Sequence, residues 1–207
     1  MDKKAFFKLN YGLYVVTTKS GEKESGCVIN TMTQVTSSPA QVCVTLNKDT
    51  YTGSLIQESK VFNVNVLLEE VSMDTIRQFG FQSGRDVNKF EVGEYGIDQN
   101  GVRYLLNESA ATFTCRVKNM VDVGTHMMYI AEVEDAKVLS EAPTLTYSAY
   151  HSKKNGTTPK GAPSFVEETK SNGWQCDVCG FIYEGDELPA DYICPICKVD
   201  ASHFVKL

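Results

Sequence analysis

The sequence predicts a mainly β protein with a few short helices, followed by a small metal-binding domain. In the stretch VFNVNV (61–66), Phe62, Val64 and Val66 alternate with polar residues, which is the period of two expected of a half-buried strand. Further strand-like runs occupy 14–18, 42–46, 111–117 and 127–139. Turn-forming residues separate them, and helical patterns are confined to the residues after Asp2 and to 69–79. Many short strands with few helices indicate a β-barrel or a β-sandwich.

The end of the chain differs from the rest in composition. After Tyr150, residues 151–172 include two glycines and two prolines with little apolar periodicity, which is typical of a linker. We therefore expect a body at 1–151, a linker at 152–172 and a tail at 173–207. The alternative that part of the linker packs along the surface of the body stays open.

Charge and hydropathy narrow the classes of function. The 207 residues carry 26 acidic and 20 basic side chains, a net charge of −6, without a block of consecutive basic residues. This balance argues against nucleic acid as the main partner. No apolar run approaches the roughly 18 residues of a membrane helix, and the opening MDKKAFFKLN lacks the apolar core of a signal peptide. We expect a cytoplasmic protein without a membrane partner, whose seven cysteines are thiols or metal ligands rather than disulfides.

Four of the seven cysteines are spaced as metal ligands. They form two C-x-x-C pairs in the tail: Cys176, Cys179, Cys194 and Cys197. So short a tail cannot bury a core that folds alone, and two such pairs provide a tetrahedral set of sulfurs. Gly180 follows the first pair, where a positive φ would turn backbone N–H groups toward the sulfurs. From the spacing alone, a zinc ribbon and an iron centre are equally good interpretations. The other cysteines are expected to be buried in strands without a chemical role: Cys27, Cys43 and Cys115.

The residues around the ligands favour iron. Aromatic side chains would shield an electron-carrying ion from water: Trp174, Phe181, Tyr183, Tyr192 and Phe204. The string WQCDVCGFIYEGDELPADYICPICKVDASHF resembles a rubredoxin domain in its C-x-x-C-G and C-P-x-C turns. Its short gap between the pairs is closer to the rubredoxin-like tail of rubrerythrins. The resemblance implies one iron per chain with four cysteine ligands, a centre that exchanges single electrons and has no open position for a substrate.

The body resembles a second family. The order of its motifs is similar to that of the FMN-binding split β-barrel domain of the flavin reductase family: VVTT at 15–18, N-x-x-T at 30–33, N-K-x-T at 47–50, F-x-V-N-V at 62–66, FGFQSGRDVNKF at 79–90, THMMYIAEVED at 125–135 and LTYSAYH at 145–151. Neither a Rossmann fingerprint nor a P-loop is present in the sequence. The resemblance implies a homodimer that binds FMN near the subunit interface.

By position, the resemblance also implies a set of flavin contacts. The edge of the isoalloxazine ring would be lined by Asn30, Thr31, Met32 and Thr33. The ribityl chain and phosphate would be held by Asn47, Lys48, Thr50 and Thr52. The next loop would add phosphate contacts from Ser83, Gly84, Arg85 and Lys89, although Arg85 and Lys89 are equally well explained as solvated surface charges. His126 is the candidate catalytic residue, facing the flavin or the nicotinamide; a histidine satisfied within a strand pair is the alternative.

The order of the two domains resembles the high-molecular-weight rubredoxins. That resemblance implies an oxidoreductase in which reducing equivalents from NAD(P)H, taken up directly or through a reductase, reach FMN and pass singly to an Fe(Cys)₄ centre and on to an acceptor. The expected partner is a redox protein, such as a flavodiiron O₂/NO reductase or an NAD(P)H:rubredoxin reductase. Two alternatives stay open: a free-flavin or ferric NAD(P)H reductase with an accessory tail, and a zinc-ribbon binding protein with no redox role.

Overall fold

The computed structural model describes residues 1–154, 156–159, 161–164 and 173–207, except for the side chains of residues 3, 4 and 7. The chain divides into two units, one spanning Asn10–Tyr150 and the other made of Met1–Leu9 together with His151–Leu207. The domain boundaries expected at 151 and 172 stay predictions, because residues 165–172 lie outside the described part of the chain.

An antiparallel sheet of seven strands builds the larger unit. The strands are β1 Tyr14–Ser20, β2 Lys23–Ile29, β3 Met32–Ser37, β4 Ala40–Asn47, β5 Val61–Leu67, β8 Ser109–Asp122 and β9 His126–Val138. Their spatial order is β2-β1-β5-β8-β9-β4-β3. A separate hairpin pairs β6 Tyr95–Ile97 with β7 Arg103–Leu105. The helices are α1 Tyr51–Ser59, α2 Met73–Gly80 and α3 Tyr147–Lys154. The predicted fold class, mainly β with a few short helices, is confirmed.

The sheet is covered on both faces. Val15 and Val16 are neighbours in β1 and point to opposite sides, yet neither is exposed. Val16 packs in a cluster with Val44, Phe62 and Tyr129. Val15 belongs to a second cluster, which includes Ile76 and Phe79 of α2 and Phe90 of the segment that follows it. The two apolar clusters stabilise the sheet from both faces, because each removes apolar surface from water.

The strand predicted at 61–66 is confirmed as β5, but the prediction that it is only half-buried was wrong. Asn63 and Asn65 of β5 are fully buried. The Asn63 amide donates to Asp98 at 3.3 Å, and the Asn65 amide donates to the Val15 carbonyl oxygen at 2.9 Å. The Asn65 side-chain oxygen accepts from the Leu105 N–H at 2.8 Å. The β6–β7 hairpin and the neighbouring strand β1 thus supply the partners that allow these polar side chains of β5 to be buried.

The two predicted helical patterns correspond to short helices. Within 69–79, α2 begins only at Met73, because the Ser72 hydroxyl caps it by accepting from the Thr75 N–H at 3.1 Å. The residues after Asp2 form a 3₁₀ helix, Lys3–Lys8.

The tail forms a sheet of three short strands in the order β11-β10-β12. These strands are β10 Trp174–Cys176, β11 Ile182–Tyr183 and β12 Phe204–Lys206. Upstream of the tail, α3 continues to Lys154, so that residues 152–154 are helical instead of part of a linker. Of the remaining predicted linker, residues 155, 160 and 165–172 lie outside the described residues.

Candidate functional site

Four sulfur atoms meet in the tail. The Sγ atoms of Cys176, Cys179, Cys194 and Cys197 all lie within 4.8 Å of one another. Cys176 and Cys197 approach to 3.5 Å, and Cys179 and Cys194 to 3.6 Å. A tetrahedral ion with metal–sulfur bonds of about 2.3 Å needs sulfurs about 3.8 Å apart. The set therefore fits one tetrahedral ion, and zinc and iron are the ions that four thiolates select.

Two turns of the same shape present these sulfurs. In the first, the Gly180 N–H donates to the Cys176 carbonyl oxygen at 2.9 Å, and Gly180 has a φ of +81°. In the second, the Lys198 N–H donates to the Cys194 carbonyl oxygen at 3.1 Å, and Lys198 has a φ of +65°. The positive φ predicted for Gly180 is confirmed. Its equivalent at Lys198 was missed, because a lysine gives no sequence signal for a left-handed conformation.

Hydrogen bonds and burial set the acidity of the thiols. The hydrogen bond from Cys179 is the largest effect on Cys194, and together with the backbone N–H groups of Ile196 and Cys197 it lowers the pKa of Cys194 to about 5. Burial raises the pKa of Cys197 to about 12, although the Val199 N–H opposes this. Backbone N–H groups directed at sulfur stabilise the thiolate, which is the form that binds a metal.

Aromatic rings pack against one another in the tail. The ring centres of Tyr183 and Tyr192 are 4.7 Å apart, and those of Tyr192 and Phe204 are 5.3 Å apart. Phe204 pairs with Cys176 across β10 and β12, and Trp174 pairs with Tyr183 across β10 and β11. Four of the five predicted aromatic residues therefore lie on or beside the small sheet whose strand β10 carries Cys176, where they are placed to screen the site from water.

In the larger unit, the predicted flavin contacts fall on neighbouring elements. Thr31 follows β2, and its hydroxyl donates to the Thr45 carbonyl oxygen of β4 at 2.7 Å. Asn47, the last residue of β4, pairs with His126, the first residue of β9. The Lys48 N–H donates to the Thr125 carbonyl oxygen at 3.1 Å. The turn after β2, the end of β4 and the start of β9 are thereby joined.

The start of α1 lies next to Asn47, at the end of β4. The Thr50 hydroxyl donates to the Asn47 carbonyl oxygen at 2.8 Å and accepts from the Gly53 N–H at 3.2 Å, so it caps the helix. Thr52 is buried, and its hydroxyl lies 3.0 Å from that of Ser25 in β2. Both predicted threonine hydroxyls thus bind other protein groups. The first turn instead offers backbone N–H groups and the positive end of the helix dipole, which suit a phosphate.

Of the four predicted residues of the next loop, Arg85 and Gly84 lie beside this helix start. Arg85 donates to the Asp49 carbonyl oxygen at 3.1 Å, and its guanidinium carbon lies 5.3 Å from the centre of the Tyr51 ring. Gly84 packs so closely that a Cβ there would lie 2.3 Å from the Ser25 Oγ. Ser83 accepts from the Arg85 N–H through its hydroxyl at 3.2 Å and so shapes the turn.

The two predicted lysines differ in their surroundings. Lys48 is partly exposed and forms an ion pair with Asp122 at 2.6 Å. Lys89 is only 3 % exposed, and its ammonium donates to the carbonyl oxygens of Gly26 at 2.8 Å and Phe79 at 3.2 Å. Burial lowers the pKa of Lys89 to about 8. The interpretation of Lys89 as a solvated surface charge is therefore wrong, and the side chain does not point outward with Arg85.

His126 and the predicted residues around the start of β3 differ in burial and in their hydrogen bonds. His126 has its Nδ1 2.8 Å from the Thr125 hydroxyl, whereas its buried Nε2 has no hydrogen-bond partner in the described part of the chain. Asn30 is buried, Met32 packs against the apolar cluster around Val16, and Thr33 is exposed on β3. The buried Nε2 of His126 is therefore suited to form a hydrogen bond with a ligand that has polar edges, such as a flavin or a nicotinamide.

Comparison with known families identifies both parts of the chain. Residues 6–156 match the flavin reductase like domain, and residues 174–205 match the rubrerythrin, rubredoxin-like domain. Together, these two matches and the four converging sulfurs define an oxidoreductase for flavin-linked electron transfer. The chain belongs to the flavin reductase like family and carries a rubredoxin-like domain after it. The short gap between the cysteine pairs agrees with the rubrerythrin type.

Individual relatives share this organisation in whole or in part. The chain is 38% identical, over its full length and that of the relative, to the high molecular weight rubredoxin of Moorella thermoacetica. It is 40% identical to the ferric-chelate reductase (NAD(P)H) of Archaeoglobus fulgidus, over 81% of this chain and 99% of the relative. The solved NADH:FAD oxidoreductase of Streptomyces globisporus has the same fold as the body, with a TM-score of 0.64, 22% identity, and coverage of 71% of this chain and 86% of that one. Among the described residues, no helix is long and apolar enough to cross a membrane.

Proposed function

We propose that this protein transfers electrons from NAD(P)H to a partner protein, with FMN bound in the larger unit and iron bound by the four tail cysteines as its two carriers. The observation that carries the proposal is the presence of a flavin-reductase-type domain and a complete set of four converging sulfurs in one chain. The full-length similarity to a high molecular weight rubredoxin supports the same combination.

The residues of the larger unit are suited to hold FMN. A bound flavin accepts two electrons as a hydride and can release them one at a time. The first turn of α1 and Arg85 would bind the phosphate, since both offer donors and positive charge at one place. The buried Nε2 of His126 would contact a polar edge of the flavin or of the nicotinamide. Thr50 would not contact the phosphate; its hydroxyl caps α1 through hydrogen bonds with the Asn47 carbonyl oxygen and the Gly53 N–H.

The tail is suited to deliver electrons to a partner. An iron ion with four thiolate ligands changes oxidation state without binding a substrate, so the protein's task is to hold and screen it. All six acidic residues of 173–207 are exposed, against two lysines. This charge would attract a basic docking face on a redox partner, such as a flavodiiron protein or an NAD(P)H:rubredoxin reductase.

A cytoplasmic homodimer is part of the proposal. Strand β3 lies at an edge of the sheet with five of its six residues exposed. The hairpin end of β8 and β9 also exposes apolar side chains: Met120, Val121 and Val123. Such surfaces are suited to pairing with a second copy. Light scattering on the purified protein should give twice the mass of the 22.9 kDa chain, and a monomer at micromolar concentration would contradict this.

The proposed route of electrons from NADH through FMN to iron is tested by removing FMN. Purified protein should contain one iron and one FMN per chain, and NADH should reduce the iron only while FMN is bound. Protein stripped of FMN should regain NADH-dependent iron reduction when FMN is restored. If iron reduction by NADH continues without flavin, the proposed route is wrong; if the metal is zinc, the redox role of the tail is wrong.

Ferric-chelate reduction is a second candidate function. It is favoured by the 40% identity to the Archaeoglobus fulgidus ferric-chelate reductase, which matches 81% of this chain. In that case the tail is accessory, and Cys194→Ser should leave the rate of NAD(P)H-dependent reduction of a ferric chelate unchanged. A parallel loss of this rate and of the iron centre would favour the electron-transfer role.

A further inference from the structure

Lys89 is a buried lysine that the proposed phosphate site does not use directly. Its side chain is 3 % exposed, and its ammonium donates to two backbone carbonyls, those of Gly26 and Phe79. None of the ion pairs found between described residues includes it. A buried charge without an opposite charge is costly to desolvate, so a methionine would fill this space at lower cost. Within the described residues, the two backbone carbonyls are what stabilises the buried ammonium.

The ammonium joins three parts of the larger unit. Gly26 belongs to β2 and Phe79 to α2, while Lys89 lies in the segment 81–94 that connects α2 to β6 without a helix or strand. The junction is tight, since a Cβ at Gly26 would lie 2.9 Å from the Phe79 ring. The Lys89 carbonyl oxygen also accepts a hydrogen bond from the Gln78 side chain. Lys89 thus fastens this segment to β2 and α2.

The same segment reaches the start of α1. Gly84 packs against Ser25, the residue next to Gly26 in β2. Ser25 in turn lies within hydrogen-bond distance of Thr52 in the first turn of α1. The contact at Gly84 and the hydrogen bonds of Lys89 therefore hold one short stretch of chain onto two consecutive residues of β2.

We propose that Lys89 is a positioning residue for the flavin phosphate, because it holds the segment 83–89 against β2 and so keeps Ser83, Gly84 and Arg85 beside the first turn of α1. This inference rests on the proposed flavin site. Arg85 and the backbone N–H groups of the first turn of α1 would contact the phosphate, and Lys89 would act through them. The role concerns the phosphate alone, so it predicts selectivity between FMN and riboflavin, which has the same ring and ribityl chain but no phosphate.

The test compares these two ligands on the full-length, iron-containing protein after its flavin has been removed. Dissociation constants are measured by the quenching of flavin fluorescence. Lys89→Met should weaken FMN binding about tenfold and change riboflavin binding less than twofold, with the iron absorption unaltered. Lys137→Met is the matched control, since it removes an exposed lysine of β9, and it should change neither constant. Equal weakening of both ligands, or no weakening of FMN, would overturn the proposal.

Two more variants, Gly84→Ala and Arg85→Gln, distinguish a failure of the role proposed for Lys89 from a failure of the proposed phosphate site. Gly84→Ala keeps the ammonium but places a Cβ 2.3 Å from the Ser25 Oγ and 3.2 Å from the Tyr51 ring, so the packing of the segment against β2 and α1 must change. It should cause the same selective loss of FMN binding even if Lys89→Met fails to fold. Unchanged selectivity in Gly84→Ala would count against the proposal. Arg85→Gln tests the phosphate site itself. If Arg85→Gln leaves the ratio of the two constants unchanged, the proposed phosphate site is wrong. If it lowers selectivity and Lys89→Met does not, only the positioning role is wrong.

Discussion

Gly180 offers a test of how the metal-binding turns are shaped. It occupies the left-handed region at a φ of +81°, where a residue with a Cβ is less stable by about 1–2 kcal/mol. A Cβ at this position would also lie 3.3 Å from the Thr158 carbonyl oxygen, which is a tight contact. We therefore expect Gly180→Ala to destabilise the smaller unit by about 1–2 kcal/mol.

Lys198 provides the matched control, because it holds the equivalent position in the second turn at a φ of +65°. Lys198→Ala keeps a Cβ there and should change stability by less than about 0.5 kcal/mol. Lys198→Gly relieves the strain but increases the freedom of the unfolded chain, which opposes the gain by about 0.5–1 kcal/mol. Its net effect should therefore lie between no change and a stabilisation of about 1.5 kcal/mol.

The assay follows the tail separately from the body. Trp174 is the only tryptophan of the chain and lies in the tail, so its fluorescence and the visible absorption of the metal centre report unfolding of the tail in guanidinium chloride. Far-UV circular dichroism reports mainly the β-rich body. The expected order of stability is Lys198→Gly, then wild type and Lys198→Ala together, then Gly180→Ala. If Gly180→Ala unfolds at the wild-type denaturant concentration, the argument from the positive φ is refuted.

Three further predictions concern Lys89, Thr50 and Cys194. Since burial lowers the pKa of Lys89 to about 8 from 10.5, the folded chain releases this proton first, and stability rises with pH between these values. Between pH 7 and 9.5, urea unfolding should show wild type gaining about 2 kcal/mol relative to Lys89→Met; a difference independent of pH would contradict this. Thr50→Val removes the N-cap of α1 and should cost about 1 kcal/mol in thermal unfolding, whereas Thr50→Ser should retain stability; equal losses would argue against capping. Cys194→Ser should abolish the iron absorption and keep the bound flavin, and survival of the iron spectrum would show that Cys194 is not a ligand.

The metal centre could be predicted from the sequence because its determinants are local. Each C-x-x-C pair lies on one turn, so spacing alone brings two sulfurs to the same side. Gly180 signals the left-handed residue that closes the first turn. The second turn uses Lys198 in the same conformation, and a lysine does not reveal this because its conformation is imposed by the surrounding fold.

The strands of the body were predictable from their alternation, but burial of their polar faces was not. Asn63 and Asn65 alternate with apolar residues, which indicates exposure, yet both are buried under the β6–β7 hairpin. Their partners Asp98 and Leu105 lie far along the chain, so a local pattern carries no information about them. Lys89 is a similar case, since only the folded chain brings the carbonyl oxygens of β2 and α2 to its ammonium.

The most direct test of the proposed function is the visible absorption spectrum of the full-length protein, recorded as purified and again after NADH is added without air. We expect flavin bands superimposed on the broad charge-transfer bands of a ferric tetrathiolate, and loss of both when NADH is added. A colourless, zinc-containing protein that does not respond to NADH would contradict it.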